Sequence, residues 1–144
     1  MVEELVIFSL GDEEYGSSIL QVREIRRMIP ITPLPRANDF VAGVINLRGK
    51  VIPMVDLRQM LGMETKEPDK ATRIVIVEIG ESTVGAIVDS VSEVLKIEEI
   101  DPSMMGQPWV EGIGKIDERL IIILDFEKLF EEISYGQDKS PDSG

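Results

Sequence analysis

Apolar residues in this chain occur in short runs rich in β-branched side chains. Residues 6–10 and 73–79 form two such runs, and each ends at a glycine that is followed by acidic turn residues. A second short run follows each of them, at residues 15–17 and 84–87. A further pair of runs is joined through Arg48-Gly49-Lys50, where glycine permits a tight turn. Short strands at this spacing predict small all-β barrels rather than a βαβ sheet.

The chain also repeats itself at an offset of 69 residues, which places Leu5 on Ile74 without a gap. The matches concentrate at glycines and apolar positions: Gly16 with Gly85, Val22 with Val91, Gly43 with Gly112, and Asp56 with Asp125. We interpret residues 4–61 and 73–130 as two copies of one unit. Each copy is small enough to be marginal alone, so we expect two barrels with a shared interface and consider strand exchange between them. The pattern does not assign individual strands to either barrel.

One segment predicts a helix. Within residues 19–26, Ile19, Val22 and Ile25 recur at a spacing of three, and their repeat mates Val88, Val91 and Val94 do the same. By default such a stripe packs into a core.

Asp56 and Asp125 each stand where a strand ends and a short helical turn is expected. A carboxylate there can accept hydrogen bonds from the first amides of the turn, and Gln59 would complete a capping box. A pair of catalytic carboxylates is the alternative. The equivalence of the two positions in the repeat favours capping.

Composition excludes several classes of activity. The 144 residues carry a formal net charge of −12 and include neither cysteine nor histidine. Disulfides, thiolate zinc sites, thiol nucleophiles and Ser-His-Asp triads are therefore impossible. The acidic charge opposes phosphate-backbone binding. We expect a protein that is not an enzyme and that uses no metal and no cofactor.

Targeting signals are also missing from the pattern. The longest apolar run, residues 120–124, is far shorter than the roughly 20 residues of a membrane-spanning helix. The first residues are acidic, unlike a secretory signal. We therefore expect a cytoplasmic protein with one folded domain over residues 1–135. Residues 136–144 contain no apolar side chain to bury and predict a disordered tail.

The stretch from Gly43 to Lys50 superficially matches a phosphate-binding loop, but its spacing is wrong and Val51 replaces the required Ser or Thr.

A comparison of the two repeats points to Arg48, because the second copy has Asp117 at the equivalent position. The guanidinium of Arg48 could orient a partner's carboxylates or backbone. Alternatively, Arg48 pairs with Glu24 or is merely solvated.

Several motifs together resemble the CheW family of bacterial chemotaxis coupling proteins over residues 4–133. They are FSLGDEEYG at 8–16, VREI at 22–25, GVINLRG at 43–49, VIPMVDL at 51–57 and GAIVDSV at 85–91. The resemblance implies two five-stranded SH3-like β-barrels. It also implies a non-catalytic adaptor that couples methyl-accepting chemoreceptors to the histidine kinase CheA, at receptor arrays on the inner face of the membrane.

The resemblance further implies where the partners bind. A receptor's helical hairpin would pack in a groove between the barrels, on residues Ile19, Val22, Ile25 and Val91, with Gly43, Leu47 and Arg48 nearby. A Glu24–Arg48 ion pair would support the edge of the groove. The regulatory domain of CheA would meet the exposed barrel ends, without contact residues that can be named.

Two alternatives stay open. The chain could be a CheW-like regulatory module of a larger signalling protein of the CheA or CheV type, although its short length leaves no room for further domains. It could also be a small hydrolase that uses Asp56 and Asp125, which would require a raised carboxyl pKa in a cleft.

Overall fold

Short strands dominate the computed structural model, which describes residues 3–35, 40–102 and 106–131. The first repeat supplies β1 Glu3–Leu10, β2 Glu13–Ser18, β3 Val22–Arg27, β4 Val41–Leu47 and β5 Lys50–Asp56. The second repeat supplies β6 Arg73–Ile79, β7 Ser82–Val88, β8 Ser90–Ile97, β9 Ile100–Asp101, β10 Val110–Ile116 and β11 Arg119–Leu124. Helical structure is short and includes a 3-10 turn Ile19–Gln21, α1 Leu57–Met60 and α2 at residues 126–131. The predicted strand runs are confirmed.

Within the described residues, the strands form two sheets, and each sheet combines strands from both repeats. Sheet I has the order β8-β1-β2-β11-β10-β9, and sheet II has the order β3-β6-β7-β5-β4. Neighbours pair antiparallel except β2 with β11 and β5 with β7, which are parallel. The predicted all-β fold of two small barrels is confirmed, and so is the exchange of strands between them.

Three apolar clusters explain why β1 and β6 read as nearly continuous apolar runs. Both strands are buried on both faces, which favours such runs over alternation. One face of each lines the interior of its own sheet, with Leu5 and Ile7 in sheet I and Ile74 and Ile76 in sheet II. The other face enters a core shared between the sheets, with Phe8 and Leu10 from β1 and Val75 and Val77 from β6. This shared core joins the two repeats into one body.

Two repeat-equivalent glycines allow a close backbone approach. Gly43 and Gly112 lie at bulges in β4 and β10, with φ of +148° and +153°. A Cβ on Gly43 would lie 2.2 Å from the carbonyl oxygen of Thr32, and one on Gly112 would lie 2.6 Å from that of Asp101. The matching glycines of the repeat therefore preserve one packed bulge in each sheet.

The helix predicted over residues 19–26 is wrong. Residues 19–21 form a 3-10 turn and residues 22–27 form strand β3, while Val91 and Val94 lie in β8. A β-bulge adds one residue to β3 between Val22 and Glu24, so Val22 and Ile25 share a face at a spacing of three. The bulge thus imitates the spacing expected of a helix.

Both aspartates cap helices, as predicted. One oxygen of Asp56 accepts from the amides of Arg58 and Gln59, and Asp125 accepts equivalently from Glu127 and Lys128. The predicted capping box does not form, because the Asp56 amide donates instead to the carbonyl of Phe40 at 2.8 Å. The predicted tail at residues 136–144 lies outside the described residues.

Candidate docking seam between the two sheets

The edge strand of sheet II presents apolar side chains at the seam between the sheets. Val22 lies opposite Val77, and Ile25 lies opposite Val75. Directly opposed residues share a face of the sheet, and both partners belong to the shared core. Val22 is half-buried against this core, whereas Ile25 is 40% exposed. One wall of the seam is therefore apolar and partly open to solvent.

The edge strand of sheet I presents the equivalent wall. A bulge at the position of Ser92 places Val91 opposite Phe8 and Val94 opposite Val6, so both valines face the seam. Val91 packs against the same core as Val22, and Val94 is 47% exposed. The sequence-based site named Val91 but missed Val94, which the repeat pairs with Ile25.

The 3-10 turn joins the two walls. It contacts β1 of sheet I and β6 of sheet II, and the hydroxyl oxygen of Ser18 accepts from the amide of Leu20 at 3.2 Å. Ile19 is half-buried, while Leu20 is 91% exposed. Leu20 was not among the predicted site residues because its position breaks the spacing of three.

The predicted Glu24–Arg48 ion pair is present, but it lies at the mouth of sheet II. Glu24 is opposite Ile76 and therefore faces the interior of that sheet. Its carboxylate accepts from Arg48 at 2.6 Å and from Arg26 at 3.2 Å. These hydrogen bonds, Arg48 first, hold the pKa of Glu24 below its ordinary value. Arg48 itself occupies the β4–β5 turn with φ of +52°.

The remaining predicted residues are buried. Leu47 is 8% exposed in the interior of sheet II, and Gly43 is buried beneath Thr32. The predicted set thus divides. Ile19, Val22, Ile25 and Val91 gather at the seam, whereas Glu24, Leu47 and Arg48 surround a cavity of about 210 Å³ at the mouth of sheet II. Binding of a receptor to either group remains a prediction.

The mouth of sheet I differs in charge. A cavity of about 980 Å³ lies on the outer face of that sheet, because its lining residues Leu120 and Ile122 alternate with the interior residue Ile121; Glu13, Glu98, Glu99 and Asp101 also line it. At the mouth itself, the charged groups are those of Arg119, Glu14 and Glu93. Arg119 binds Glu14 through two hydrogen bonds of 2.9 Å and also binds Glu93. The two mouths are therefore specialised differently within one duplicated fold.

The described residues lack the side-chain clusters that a bound metal ion needs. They contain no group of three or more acidic side chains placed to hold a metal ion. The carboxylates of Asp56 and Asp125 are both used in helix capping. None of the helices in the described part of the chain is long and apolar enough to span a membrane.

Comparison with known proteins agrees with this architecture. The family model of the CheW-like domain matches residues 4–134. Chemotaxis protein CheW of Klebsiella aerogenes is 38% identical over an alignment that covers 88% of this chain and 81% of the relative. Chemotaxis protein CheW of Bacillus subtilis is 33% identical over 97% of this chain and 94% of the relative. The crystal structure of the scaffolding protein TtCheW from Thermoanaerobacter tengcongensis superimposes with a TM-score of 0.83 at 41% identity, covering 91% of this chain and 94% of that one. This chain therefore belongs to the CheW family.

Proposed function

We propose that this protein is a non-catalytic adaptor that couples chemoreceptors to the histidine kinase CheA in bacterial chemotaxis. The observation that carries the proposal is the seam, where two edge strands and a 3-10 turn present apolar side chains to solvent. Family membership supports the chemotaxis role, and one related structure is described as a scaffolding protein. The reported relatives are CheW proteins rather than CheA or CheV, so a regulatory module of a larger protein is not favoured.

The seam suits a helix of a receptor's cytoplasmic hairpin. An amphipathic helix binds by placing its apolar face in a groove, and it needs apolar walls rather than reactive groups. Leu20, Ile25 and Val94 supply such walls. Full burial of an exposed apolar side chain is worth about 1.5–3 kcal/mol before the costs of association, so Leu20 at 91% exposure could gain most of this and Ile25 and Val94, at 40% and 47%, less than half. A contact of this kind is modest alone and gains strength when several partners are engaged in an array.

The kinase would use a different surface. The mouths of the two sheets differ in charge, and an exposed apolar residue lies on the outer face of the strand next to each mouth, Val51 in sheet II and Leu120 in sheet I. We place the regulatory domain of CheA at these ends without assigning contact residues. Simultaneous binding of both partners would hold the adaptor at receptor arrays on the inner face of the membrane.

Calorimetric titration tests the proposal. The purified protein should bind a receptor hairpin fragment and the CheA regulatory domain separately, and binding of one should leave the site of the other available. Absence of binding to both partners at tens of micromolar would refute the adaptor function. Turnover of a small molecule by the isolated chain would also contradict it.

Charge substitutions locate the receptor site. Val22→Asp and Ile25→Asp should each abolish hairpin binding, because an unpaired carboxylate would be desolvated between apolar walls. Ile25 is the safer site, since Val22 also packs against the shared core. Val51→Asp is the matched control: Val51 is 65% exposed on β5, away from the seam, and the variant should bind the hairpin normally. Equal losses in Ile25→Asp and Val51→Asp would remove the seam as the site.

A further inference from the structure

The apolar wall on β3 runs directly into positive charge. Ile25 lies opposite Val75, and two residues further along the same face Arg27 lies opposite Arg73. Like charges directly opposite each other on neighbouring strands are unfavourable. The side chain of Arg27 is exposed to solvent. The seam wall therefore ends in two facing arginines.

The duplicated fold contains an internal comparison for this pair. At the equivalent positions of sheet I, Lys96 of β8 lies opposite Glu4 of β1. The first sheet thus places opposite charges where the second places like charges. Because the backbone arrangement is the same in both copies, the fold itself does not require two arginines here.

Neighbouring cations form ion pairs, whereas neither Arg27 nor Arg73 forms one with any residue that the structure describes. Arg23 is paired with Glu78, and Arg26 and Arg48 share Glu24. Among the described residues, Arg27 has neither an ion pair nor a side-chain hydrogen bond, and Arg73 donates to the backbone carbonyls of Lys70 and Thr72.

A third cation lies beside them. Arg27, Arg73 and Lys70 line one cavity of about 410 Å³. Asp69 also lines it, but its carboxylate is held by Lys66 at 2.9 Å and by the amide of Ala71. The hydrogen bond from Lys66 is the main reason that the pKa of Asp69 falls to about 2, so Asp69 remains ionised and engaged. Within the described part of the chain, the only carboxylate that lines the cavity beside these three cations is therefore already paired with Lys66, although the net charge of the chain is −12.

We propose that Arg27, Arg73 and Lys70 form a carboxylate-binding patch that receives an acidic residue of the helix bound along the seam. The inference rests on the proposed function for the identity of that helix and adds a specificity determinant to it. Guanidinium groups bind carboxylates in a two-pronged geometry, and a continuous apolar wall beside them favours an acidic helix over a free anion or a lipid headgroup. Val22 and Arg27 are about 15 Å apart along the strand, or about 10 residues of helix. The acidic residue should therefore follow or precede the first apolar contact by two to three turns.

Charge reversal at Arg27 tests the patch. Titration of a receptor hairpin fragment should show about tenfold weaker binding to Arg27→Glu than to wild type, which corresponds to about 1.4 kcal/mol. The salt dependence of binding should also decrease. The melting temperature should not fall, because Arg27 has no intramolecular partner among the described residues and the new carboxylate would lie opposite Arg73 instead of a like charge. Replacing the contacting acidic residue of the hairpin by lysine should restore affinity for Arg27→Glu.

Lys115→Glu is the matched control, since it changes the net charge equally at an exposed lysine of β10, a strand that contributes to neither wall of the seam. Equal weakening by both variants would mean a general electrostatic effect and would overturn the patch. Wild-type affinity in Arg27→Glu would overturn it as well, while leaving the seam intact as a receptor site. If the wild-type protein bound anionic vesicles or inorganic phosphate more tightly than the hairpin, the ligand of the patch would be a lipid headgroup or a free anion, and the proposal of an acidic helix would be wrong. Failure of wild type to bind the hairpin at all would instead reject the proposed function.

Discussion

The Asp89→Asn variant tests how the two sheets are fixed against each other. Asp89 lies at the crossover from sheet II to sheet I, and its carboxylate accepts from Arg58 Nε at 2.8 Å and Nη2 at 2.7 Å. It also accepts from the amide of Gly11, in the β1–β2 turn of sheet I, at 2.8 Å. Arg58 belongs to α1, which follows β5 of sheet II. One carboxylate therefore ties a turn of one sheet to a helix of the other.

The loss of stability follows from burial of the pair. Breaking a buried ion pair from one side costs about 3–5 kcal/mol, because the remaining charge stays desolvated. The side chains of Arg58 and Asp89 retain 17% and 15% exposure, which lowers the expected cost to about 2–4 kcal/mol. For a chain of this size, the melting temperature should fall by about 6–12 °C at neutral pH. Thermal unfolding followed by circular dichroism measures this change.

The pH dependence gives a second check. The hydrogen bond from Arg58 holds the pKa of Asp89 below its ordinary value. A carboxyl group with a lowered pKa stabilises the folded state above its unfolded pKa of about 3.9, and this contribution is lost as the pH falls through the folded pKa. The difference between wild type and Asp89→Asn should therefore shrink below about pH 4.

The first copy of the repeated unit supplies a control substitution for Asp89→Asn. Leu20 occupies the position equivalent to Asp89 and is 91% exposed, so Leu20→Asn should change stability by less than about 0.5 kcal/mol. In a double-mutant cycle with Arg58→Met, the coupling with Asp89→Asn should exceed about 1 kcal/mol. A coupling energy near zero, or a melting temperature of Asp89→Asn equal to that of wild type at neutral pH, would refute the claim that the Arg58–Asp89 ion pair stabilises the junction between the two sheets.

Two further predictions concern glycine and arginine positions. Gly43→Ala should prevent stable folding or lower the melting temperature sharply, because the added Cβ would meet the carbonyl oxygen of Thr32. Gly49→Ala lies in open space at φ of +83° and should lower the free energy of unfolding by only about 1–2 kcal/mol. Equal losses of stability in denaturant titrations of the two variants would contradict the close approach to Thr32. Arg48→Ala should leave the melting temperature nearly unchanged, because the Arg48 side chain is 65% exposed and Glu24 keeps its hydrogen bond from Arg26, while the variant weakens coupling to the receptor or the kinase. A large loss of stability in Arg48→Ala would mean that Arg48 is structural.

Sequence reasoning found the elements that local pattern determines. The apolar runs predict β1 and β6 because both faces of those strands are buried, and the repeat transfers each strand prediction from one copy to the other. Assignment of strands to sheets was beyond reach, since β2 pairs with β11 and β5 with β7 across the repeats. Local spacing also misled at Val22 and Ile25, where a bulge set by the pairing with β6 produces the period of a helix.

The candidate site divides in the same way. The sequence motifs point to Val22, Ile25 and Val91, which lie together at the seam, although their exposure depends on two edge strands that sequence cannot place. The Arg58–Asp89 ion pair was not predicted, although the sequence contains an indication of it: Asp89 corresponds to Leu20 and Arg58 to Glu127 in the repeat. Positions at which a duplicated fold differs in charge point to specialised contacts. The capping box at Gln59 failed because the Asp56 amide is bonded to Phe40, a tertiary contact.

Nuclear magnetic resonance mapping of a receptor hairpin on the isotope-labelled protein tests most directly whether the seam is the docking surface. The amide signals of residues 19–25 and 91–94 should shift on titration, while those of residues 46–52 at the mouth of sheet II should change little. Shifts confined to the two mouths, with the edge strands unchanged, would contradict the account.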